Sequence, residues 1–185
     1  MGKSSKPWVM NFRVNRALFL DRDGVINIDH GHTHIWSDEL LISDVCDLIR
    51  RYRDRDYKII VVTNQSGIGR GLYDEEAFFK FMSEMRFALR RNNVDIDDYY
   101  FCTCTPSSPM CQFRKPNPGM LLQAISDHDV SPEQSLLVGD KATDILAAEA
   151  ANVTERYLFS PNDALEQTKL QGLDCKIVNY LYEVR

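Results

Sequence analysis

Two aspartates, Asp21 and Asp23, stand one residue apart where the apolar run RALFL ends and a glycine follows. Thr63 and Asp140 also close apolar runs, and Lys115 lies in a polar segment between them. Each residue alone is as well explained by a helix cap or a turn, but ligands of open parallel sheets bind beyond the carboxyl ends of the strands. Carboxylates that share such a crevice repel each other unless a cation lies between them, and an oxygen-only site suits Mg²⁺. We therefore expect a magnesium site that acts on a phosphate group.

The segments that must position these residues alternate between apolar runs and helix-like stretches. Strands are predicted at RALFL, KIIVVTN, YYFCTC, SLLVGD and ERYLFS, and helices at DVCDLIRRYRDRDY, DEEAFFKFMSEMRFALRRNN, NPGMLLQAISDHD and KATDILAAEAAN. The last segment, DCKIVNYLYEVR, has an ambiguous pattern. Repeated βα units predict a three-layer α/β/α, Rossmann-like fold around a central parallel sheet. No repeat or linker-like stretch marks a second unit, so residues 1–185 are expected to form one domain without a cap domain.

The composition limits the class of protein. Of the 185 residues 44% are hydrophobic, which suffices for one sizeable core, and the formal net charge is -5. An acidic chain has no general attraction to nucleic acid or to an anionic membrane, so a small-molecule substrate is expected. No apolar run reaches the roughly 18 residues of a membrane helix, and MGKSSKPWVMNFRVN lacks the apolar segment of a signal peptide. These features predict a cytoplasmic protein, which we expect to be a monomer.

Four motifs, DRDGV, VVTN, RKP and VGDKATD, occur in this order between residues 16 and 155. In type and order they resemble the four motifs of the haloacid dehalogenase-like phosphatases. The resemblance implies that Asp21 is the nucleophile that attacks phosphorus and that Asp23 is the general acid and base. It also implies that Thr63 and Lys115 hold the oxygens of the transferring phosphoryl group.

The same resemblance implies the metal ligands. Asp21, the backbone carbonyl of Asp23, and Asp140 would bind Mg²⁺, while Asp144 would orient the water shell of the metal. Because successive side chains of a strand point to opposite faces, Asp21 and Asp23 should share one side and Arg22 should point away from it.

Longer stretches of the sequence resemble one smaller group within these phosphatases. DRDGVINIDHG, VVTNQSGIGRG, FRKPNPGM and VGDKATDILAA are similar to the heptose bisphosphate phosphatases, small members without a large cap. That family removes the C7 phosphate of D-glycero-D-manno-heptose 1,7-bisphosphate and leaves heptose 1-phosphate. The substrate contacts that the resemblance implies are Asp29, His30, Gly31, His32, Asn64, Gln65, Ser66, Arg114 and Lys141. Among them, the fork of donors on Arg114 suits the second phosphate of a sugar bisphosphate.

Three alternatives stand beside this function. Histidinol-phosphate phosphatases typically read TNQDG, where an acidic residue can face the substrate's ammonium group, whereas this chain has Ser66. Nucleic-acid 3′-phosphatases share much of TNQSGIGRG and RKP, but the acidic total charge and the lack of a basic, aromatic-rich tract count against them. A catalytically silent binding module is disfavoured because the motif carboxylates and the motif lysine are intact.

One cysteine-bearing loop departs from the pattern of the heptose family. That family usually has a CxH motif and then a CxC motif directly before RKP, and these two motifs supply the four ligands of a structural zinc. Here Cys102, Cys104 and Cys111 supply three sulfurs, and Phe113 occupies the fourth place. Three thiolates can hold Zn²⁺ with a water or a distant donor, although structural sites normally have four protein ligands. The alternative is a loop held by packing, with Phe113 buried. Five cysteines, an odd number, favour thiols over a disulfide framework.

The remaining cysteines and the histidine loop have simpler interpretations. Cys46 and Cys175 are expected to be packing residues. His30, His32 and His34 alternate as if to present one face, which indicates a substrate contact or a solvated loop more than a metal site.

Overall fold

The computed structural model describes residues 14–108, 110–161 and 172–185. These residues build a parallel sheet in the order β3-β2-β1-β4-β5-β6. Its strands are β1 (Arg16–Leu20), β2 (Tyr57–Asn64), β3 (Asp98–Cys102), β4 (Leu136–Gly139), β5 (Glu155–Phe159) and β6 (Lys176–Val178). The helices are α1 (Val45–Arg53), α2 (Ser66–Gly69), α3 (Glu75–Arg91), α4 (Gly119–Asp127) and α5 (Ala142–Ala150). The N-terminal segment MGKSSKPWVMNFRVN lies almost entirely outside the described residues.

The sheet separates two apolar layers, as strand β1 illustrates. Leu18 and Leu20 pack in a cluster with apolar side chains of α1 and α3, whereas Ala17 and Phe19 pack with those of α4 and α5. All four side chains are fully buried, because a central parallel strand is covered on both faces. This arrangement confirms the predicted three-layer α/β/α fold. That residues 1–185 form a single domain stays a prediction.

The sheet order explains why the motifs meet. Strand β1 pairs with β2 on one side and with β4 on the other, all in parallel, so that their carboxyl ends lie at the same edge. The chain runs from these three ends into the motif residues after β1, β2 and β4. A site is expected at such a reversal of strand order, where the crossovers diverge to opposite faces.

Helix α3 shows how local sequence sets an element's limits. Its N-cap residue Asp74 accepts a hydrogen bond from the backbone N–H of Ala77 at 2.8 Å. Acidic residues occupy the first turn and Arg90 and Arg91 the last, which complements the helix dipole. The predicted helix over residues 74–93 is therefore confirmed, with its ends trimmed by one residue at the start and two at the end.

The structure adds two elements that the pattern did not specify. Strand β6 forms from the ambiguous final segment and pairs with β5, Ile177 lying opposite Leu158. The short helix α2 begins just after β2, so the chain turns sharply at the end of that strand. Among the described residues, no helix combines the length and the apolar character that crossing a membrane requires.

Candidate active site

A cleft of about 320 Å³ lies at the carboxyl edge of the sheet. Most of the predicted site residues line it: Asp21, Asp23, Asp29, Gly31, His32, Thr63, Asn64, Gln65, Ser66, Arg114, Lys115 and Lys141. Tyr73, Thr143 and Asp144 complete the lining. His30 does not line the cleft and is exposed. Asp140 lines an adjoining cavity of about 390 Å³ together with Gly24.

Lys115 is a buried cation at the base of the cleft. Its Nζ lies 3.0 Å from Asp21 Oδ1 and 2.5 Å from Asp144 Oδ1, and it donates a hydrogen bond to the Val62 carbonyl oxygen at 2.7 Å. Burial by itself lowers the pKa of Lys115, but the carboxylates of Asp144 and Asp21 outweigh it and raise that pKa above its usual value. Lys115 therefore carries a fixed positive charge beside Asp21.

Asn64 fixes the backbone of Lys115 to the end of β2. Its Nδ2 donates to the Lys115 carbonyl oxygen, and its Oδ1 accepts from the Lys115 backbone N–H, both at 3.1 Å. This reciprocal pair uses one amide hydrogen and the amide oxygen. Asn64 thus lines the cleft as predicted and also joins the second and third motifs.

The carboxylates of Asp21, Asp140 and Asp144 form a group suited to a hard cation. One oxygen from each lies within 4.8 Å of the others. Asp140 Oδ1 is buried and has no hydrogen-bond partner among the described residues. Burial, helped by the charge of Asp21, raises the pKa of Asp140 to about 8. Burial also raises the pKa of Asp21, against the lowering effect of Lys115. A divalent cation would relieve this crowding of charge, so the residues present fit Mg²⁺.

The backbone around Gly24 lies directly against Asp140. Gly24 has a φ of +87°, which L side chains rarely adopt, and a Cβ added there would lie 2.3 Å from Asp140 Oδ2. The turn of DRDGV and the carboxylate of the fourth motif are therefore in contact, which only a glycine at this position allows.

Asp21 and Asp23 both line the cleft and Arg22 does not, as expected, but strand alternation is not the reason. Strand β1 ends at Leu20, so the alternation of a strand no longer applies at residue 22. Arg22 turns back and donates to Asp23 Oδ1 from Nε at 3.1 Å and to Asp23 Oδ2 from Nη2 at 2.7 Å. Its guanidinium is buried over the ring of Phe81, 4.3 Å from the centroid. Asp23 is thereby held by a bidentate, charge-assisted pair.

The loop over the cleft carries Asp29, Gly31 and His32. Lys141 Nζ lies 3.3 Å from Asp29 Oδ2 and 3.2 Å from Asp140 Oδ2, so it connects this loop with the acidic group. The ring of His34 stacks on Tyr73, with centroids 4.8 Å apart and planes 7° apart. Among the described residues, no histidine belongs to a group of side chains close enough to bind a metal.

The sequence prediction missed Tyr73 and Thr143 as lining residues. Tyr73 lies just before α3, and only the packing of that helix against the sheet brings it to the cleft. Thr143 lies within VGDKATD, in the first turn of α5. Its position two residues after Lys141 was the signal available, because the first turn of a helix that follows a strand end faces the same edge.

Three cysteine sulfurs converge beside the cleft. Cys104 and Cys111 are disulfide-bonded, and Cys102 Sγ lies 3.3 Å from Cys111 Sγ. The disulfide differs from the expected cluster of thiols. The expectation that Phe113 would be buried in place of a fourth zinc ligand is wrong, because Phe113 is 46% exposed. Arg114, which lines the cleft, donates from Nη1 to the Cys104 carbonyl oxygen at 2.9 Å.

The other two cysteines are packing residues, as predicted. Cys46 is buried in the cluster of α1 and α3. Cys175 is partly buried against the opposite cluster.

Comparison with known proteins identifies relatives over most of the chain. The HAD-hydrolase-like family profile matches residues 112–155. D-glycero-beta-D-manno-heptose-1,7-bisphosphate 7-phosphatase of Yersinia pestis is 41% identical over 77% of this chain and 79% of its own length. D-glycero-alpha-D-manno-heptose-1,7-bisphosphate 7-phosphatase of Burkholderia mallei is 42% identical over 81% of this chain and 82% of its own length.

A solved structure shares the fold closely. D,D-heptose 1,7-bisphosphate phosphatase from B. bronchiseptica, complexed with magnesium and phosphate, superposes with a TM-score of 0.79 at 29% identity, covering 90% of this chain and 93% of that one. Together with the motif residues assembled at the cleft, these matches show that the chain belongs to the D-glycero-D-manno-heptose-1,7-bisphosphate 7-phosphatase family of HAD-like hydrolases.

Proposed function

We propose that this protein is a Mg²⁺-dependent phosphatase that converts D-glycero-D-manno-heptose 1,7-bisphosphate into heptose 1-phosphate and inorganic phosphate. The observation that carries the proposal is the buried carboxylate of Asp21, which faces the cleft with Lys115 Nζ 3.0 Å away. The relatives named above support the choice of sugar, and both anomers of the substrate occur among their names.

The chemistry proceeds in two steps. In the first, a carboxylate oxygen of Asp21 forms a bond to the C7 phosphorus, the bond from phosphorus to the sugar oxygen breaks, and Asp23 gives its proton to the departing alkoxide. In the second, Asp23 takes a proton from water, and the water oxygen attacks the phosphorus of the aspartyl-phosphate. Inorganic phosphate leaves and the Asp21 carboxylate is restored, so protons and electron pairs balance over the cycle.

The polar groups around Asp21 stabilise charge on the transferring phosphoryl group. The hydroxyl of Thr63 donates to its oxygens, and the positive charge of Lys115 beside Asp21 stabilises the negative charge on them. The carboxylates of Asp21 and Asp140 and the carbonyl of Asp23 would hold Mg²⁺, which would supply positive charge for the phosphoryl transfer. Asp144 keeps Lys115 in place through their 2.5 Å ion pair and, as the resemblance implies, would orient the water shell of the metal.

The far side of the cleft holds the sugar and its second phosphate. Arg114 is the cation placed to bind the phosphate that is not transferred, because Lys115 already serves the reacting one. Ser66 is buried at the cleft and uncharged, which suits a neutral sugar better than the ammonium group of histidinol phosphate. Asp29, Gly31, His32 and Lys141 line the cleft where they can contact the sugar hydroxyls.

The three-cysteine loop carries a structural proposal. The Cys104 and Cys111 disulfide closes the loop that leads to Arg114, and the three sulfurs, when reduced, are close enough to hold Zn²⁺. The sequence predictions of a cytoplasmic monomer that binds neither nucleic acid nor membrane stay part of this proposal.

Phosphate release from a panel of substrates tests the function. The panel contains both heptose 1,7-bisphosphate anomers, fructose 1,6-bisphosphate, histidinol phosphate and a 3′-phosphorylated oligonucleotide, each with Mg²⁺ and with chelator. We expect the highest kcat/KM on one heptose anomer and loss of turnover with chelator. Preference for histidinol phosphate or the oligonucleotide would replace the proposed substrate, and undiminished turnover in chelator would remove the role of the metal.

A further inference from the structure

The side-chain amide of Gln65 connects the two motif residues that flank the cleft. Gln65 is 1% exposed and directly follows the end of β2. Its Nε2 donates to Asp23 Oδ2 at 3.0 Å and to Thr63 Oγ1 at 2.8 Å. Its Oε1 accepts a hydrogen bond from the Tyr73 hydroxyl at 2.6 Å. The amide therefore has three partners, all of them protein side chains.

These contacts leave Gln65 no donor for a substrate. A primary amide has two N–H groups, and Asp23 and Thr63 accept from both. In this orientation the amide nitrogen faces Asp23 Oδ2, which also accepts from Arg22 Nη2, and the amide oxygen faces the Tyr73 hydroxyl. The sequence resemblance placed Gln65 among substrate contacts, whereas the geometry gives its polar atoms a different use.

We infer that Gln65 is a positioning residue, oriented by Tyr73, that holds the carboxylate of Asp23 and the hydroxyl of Thr63 in one fixed arrangement. A hydroxyl that accepts from Gln65 keeps its single hydrogen free to donate to a phosphoryl oxygen. A carboxylate fixed by Gln65 and by Arg22 stays aligned with the oxygen that must be protonated. The inference rests on the roles proposed for Asp23 and Thr63.

Gln65→Met provides the first test, because methionine has a similar length and no strong donor. With heptose 1,7-bisphosphate we expect kcat to fall by about 10- to 100-fold, the scale of a misaligned catalytic group. KM should change by less than about 3-fold, because no substrate contact is lost. A residue that binds substrate would show the reverse, a raised KM with little change in kcat.

A substrate with a good leaving group separates the two steps. The p-nitrophenolate of p-nitrophenyl phosphate departs without a proton, so only the water step needs Asp23. Gln65→Met should therefore release a burst of p-nitrophenolate, followed by a slower steady rate. A burst and a steady rate lowered by the same factor would contradict the assignment to Asp23.

Tyr73→Phe removes one hydroxyl and keeps the ring that stacks on His34. We expect kcat to fall by about 3- to 10-fold in the wild-type background and to show no further fall in Gln65→Met. Both changes interrupt the same series of hydrogen bonds, from Tyr73 through Gln65 to Asp23 and Thr63. Gln123→Met and Tyr100→Phe are matched controls: each removes a hydrogen bond to Asp127 outside the cleft, and neither should change kcat.

Distinct results separate failure of the inference from failure of the proposed function. Additive losses from Tyr73→Phe and Gln65→Met, or a change confined to KM, would overturn the inference. Full activity of Asp23→Asn would instead overturn the role proposed for Asp23. If Gln65→Met does not fold, as judged by its melting curve, Tyr73→Phe with unchanged kcat is sufficient to reject the inference.

Discussion

Asp21 and Lys115 form a buried ion pair in which the amine lies 3.0 Å from Asp21 Oδ1, with Asp144 on its other side at 2.5 Å. Burying this pair has a desolvation cost, because burial raises the pKa of Asp21 and so disfavours its ionised form.

Asp21→Asn should abolish turnover and leave the fold intact. The amide keeps the shape of the side chain but cannot form the acyl-phosphate, so we expect phosphate release to fall by at least about 10⁴-fold. The melting temperature should stay the same or rise, because a buried charge is removed while Lys115 keeps Asp144. Asp127→Asn, at the exposed end of α4, is the control. Measurable turnover in Asp21→Asn would refute the covalent mechanism.

Asp23→Asn should slow both chemical steps and also destabilise the fold. General acid and base groups contribute about 10² to 10⁴ in rate. Arg22 is 1% exposed and loses its charged partner, which costs about 3 kcal/mol in unfolding free energy for a buried pair. Rapid-quench kinetics and urea unfolding measure the two effects. Unchanged stability would show that the Arg22 contact contributes nothing net.

Arg114→Ala should discriminate between bisphosphate and monophosphate substrates. Loss of a charged hydrogen-bonded contact to the remote phosphate predicts a fall in kcat/KM of about 10² or more on heptose 1,7-bisphosphate, roughly 2–3 kcal/mol. The effect on a simple monophosphate should be small. Arg91→Ala, which alters an exposed arginine of α3, serves as the control. Equal losses on both substrates would assign Arg114 to the reacting phosphate or to the fold.

Opening the cysteine loop should act through Arg114. The double change Cys104→Ser with Cys111→Ser frees the loop whose Cys104 carbonyl accepts from Arg114 Nη1 at 2.9 Å. We expect kcat/KM on the bisphosphate to fall by about 10-fold, which corresponds to the free energy of one hydrogen bond. Activity on a monophosphate should persist. Cys175→Ser is the control.

Elemental analysis of protein purified under reducing conditions tests whether the same loop binds zinc. About one zinc per chain is expected there, since the three thiolates lie close together, and the double serine variant should lose it. Less than about a tenth of an equivalent in the reduced wild type would rule out zinc.

Gly24→Ala should weaken the metal site. A methyl group at Gly24 meets Asp140 Oδ2 and also has to adopt a φ of +87°, a conformation that costs roughly 1–2 kcal/mol. We expect lower stability and a raised Mg²⁺ requirement for activity. Gly71→Ala isolates the backbone cost, because its φ is +68° and no described atom lies within 4 Å of the added methyl group. Equal Mg²⁺ requirements in the two variants would contradict a role for the contact with Asp140.

The sequence by itself determined the layers of the fold and most of the residues that line the cleft. Apolar runs of strand length alternate with helical periodicity, and a parallel sheet then brings Asp21, Thr63 and Asp140 to one edge. The layers follow from local patterns and from a topology that has few alternatives, and most of the site residues follow from the resemblance to the haloacid dehalogenase-like phosphatases. That is why the cleft contains nearly all of the residues expected in it.

The tertiary structure decided how those residues bond to one another. Arg22 turns back onto Asp23 because β1 ends at Leu20 and buried aromatic rings hold its guanidinium. Phe113 is exposed and Cys104 pairs with Cys111, which depends on how the loop closes. Gln65 contacts Asp23, Thr63 and Tyr73 through partners that arrive from separate elements. Side-chain hydrogen bonds require atoms placed within tenths of an ångström, and residue types and spacing carry no such information.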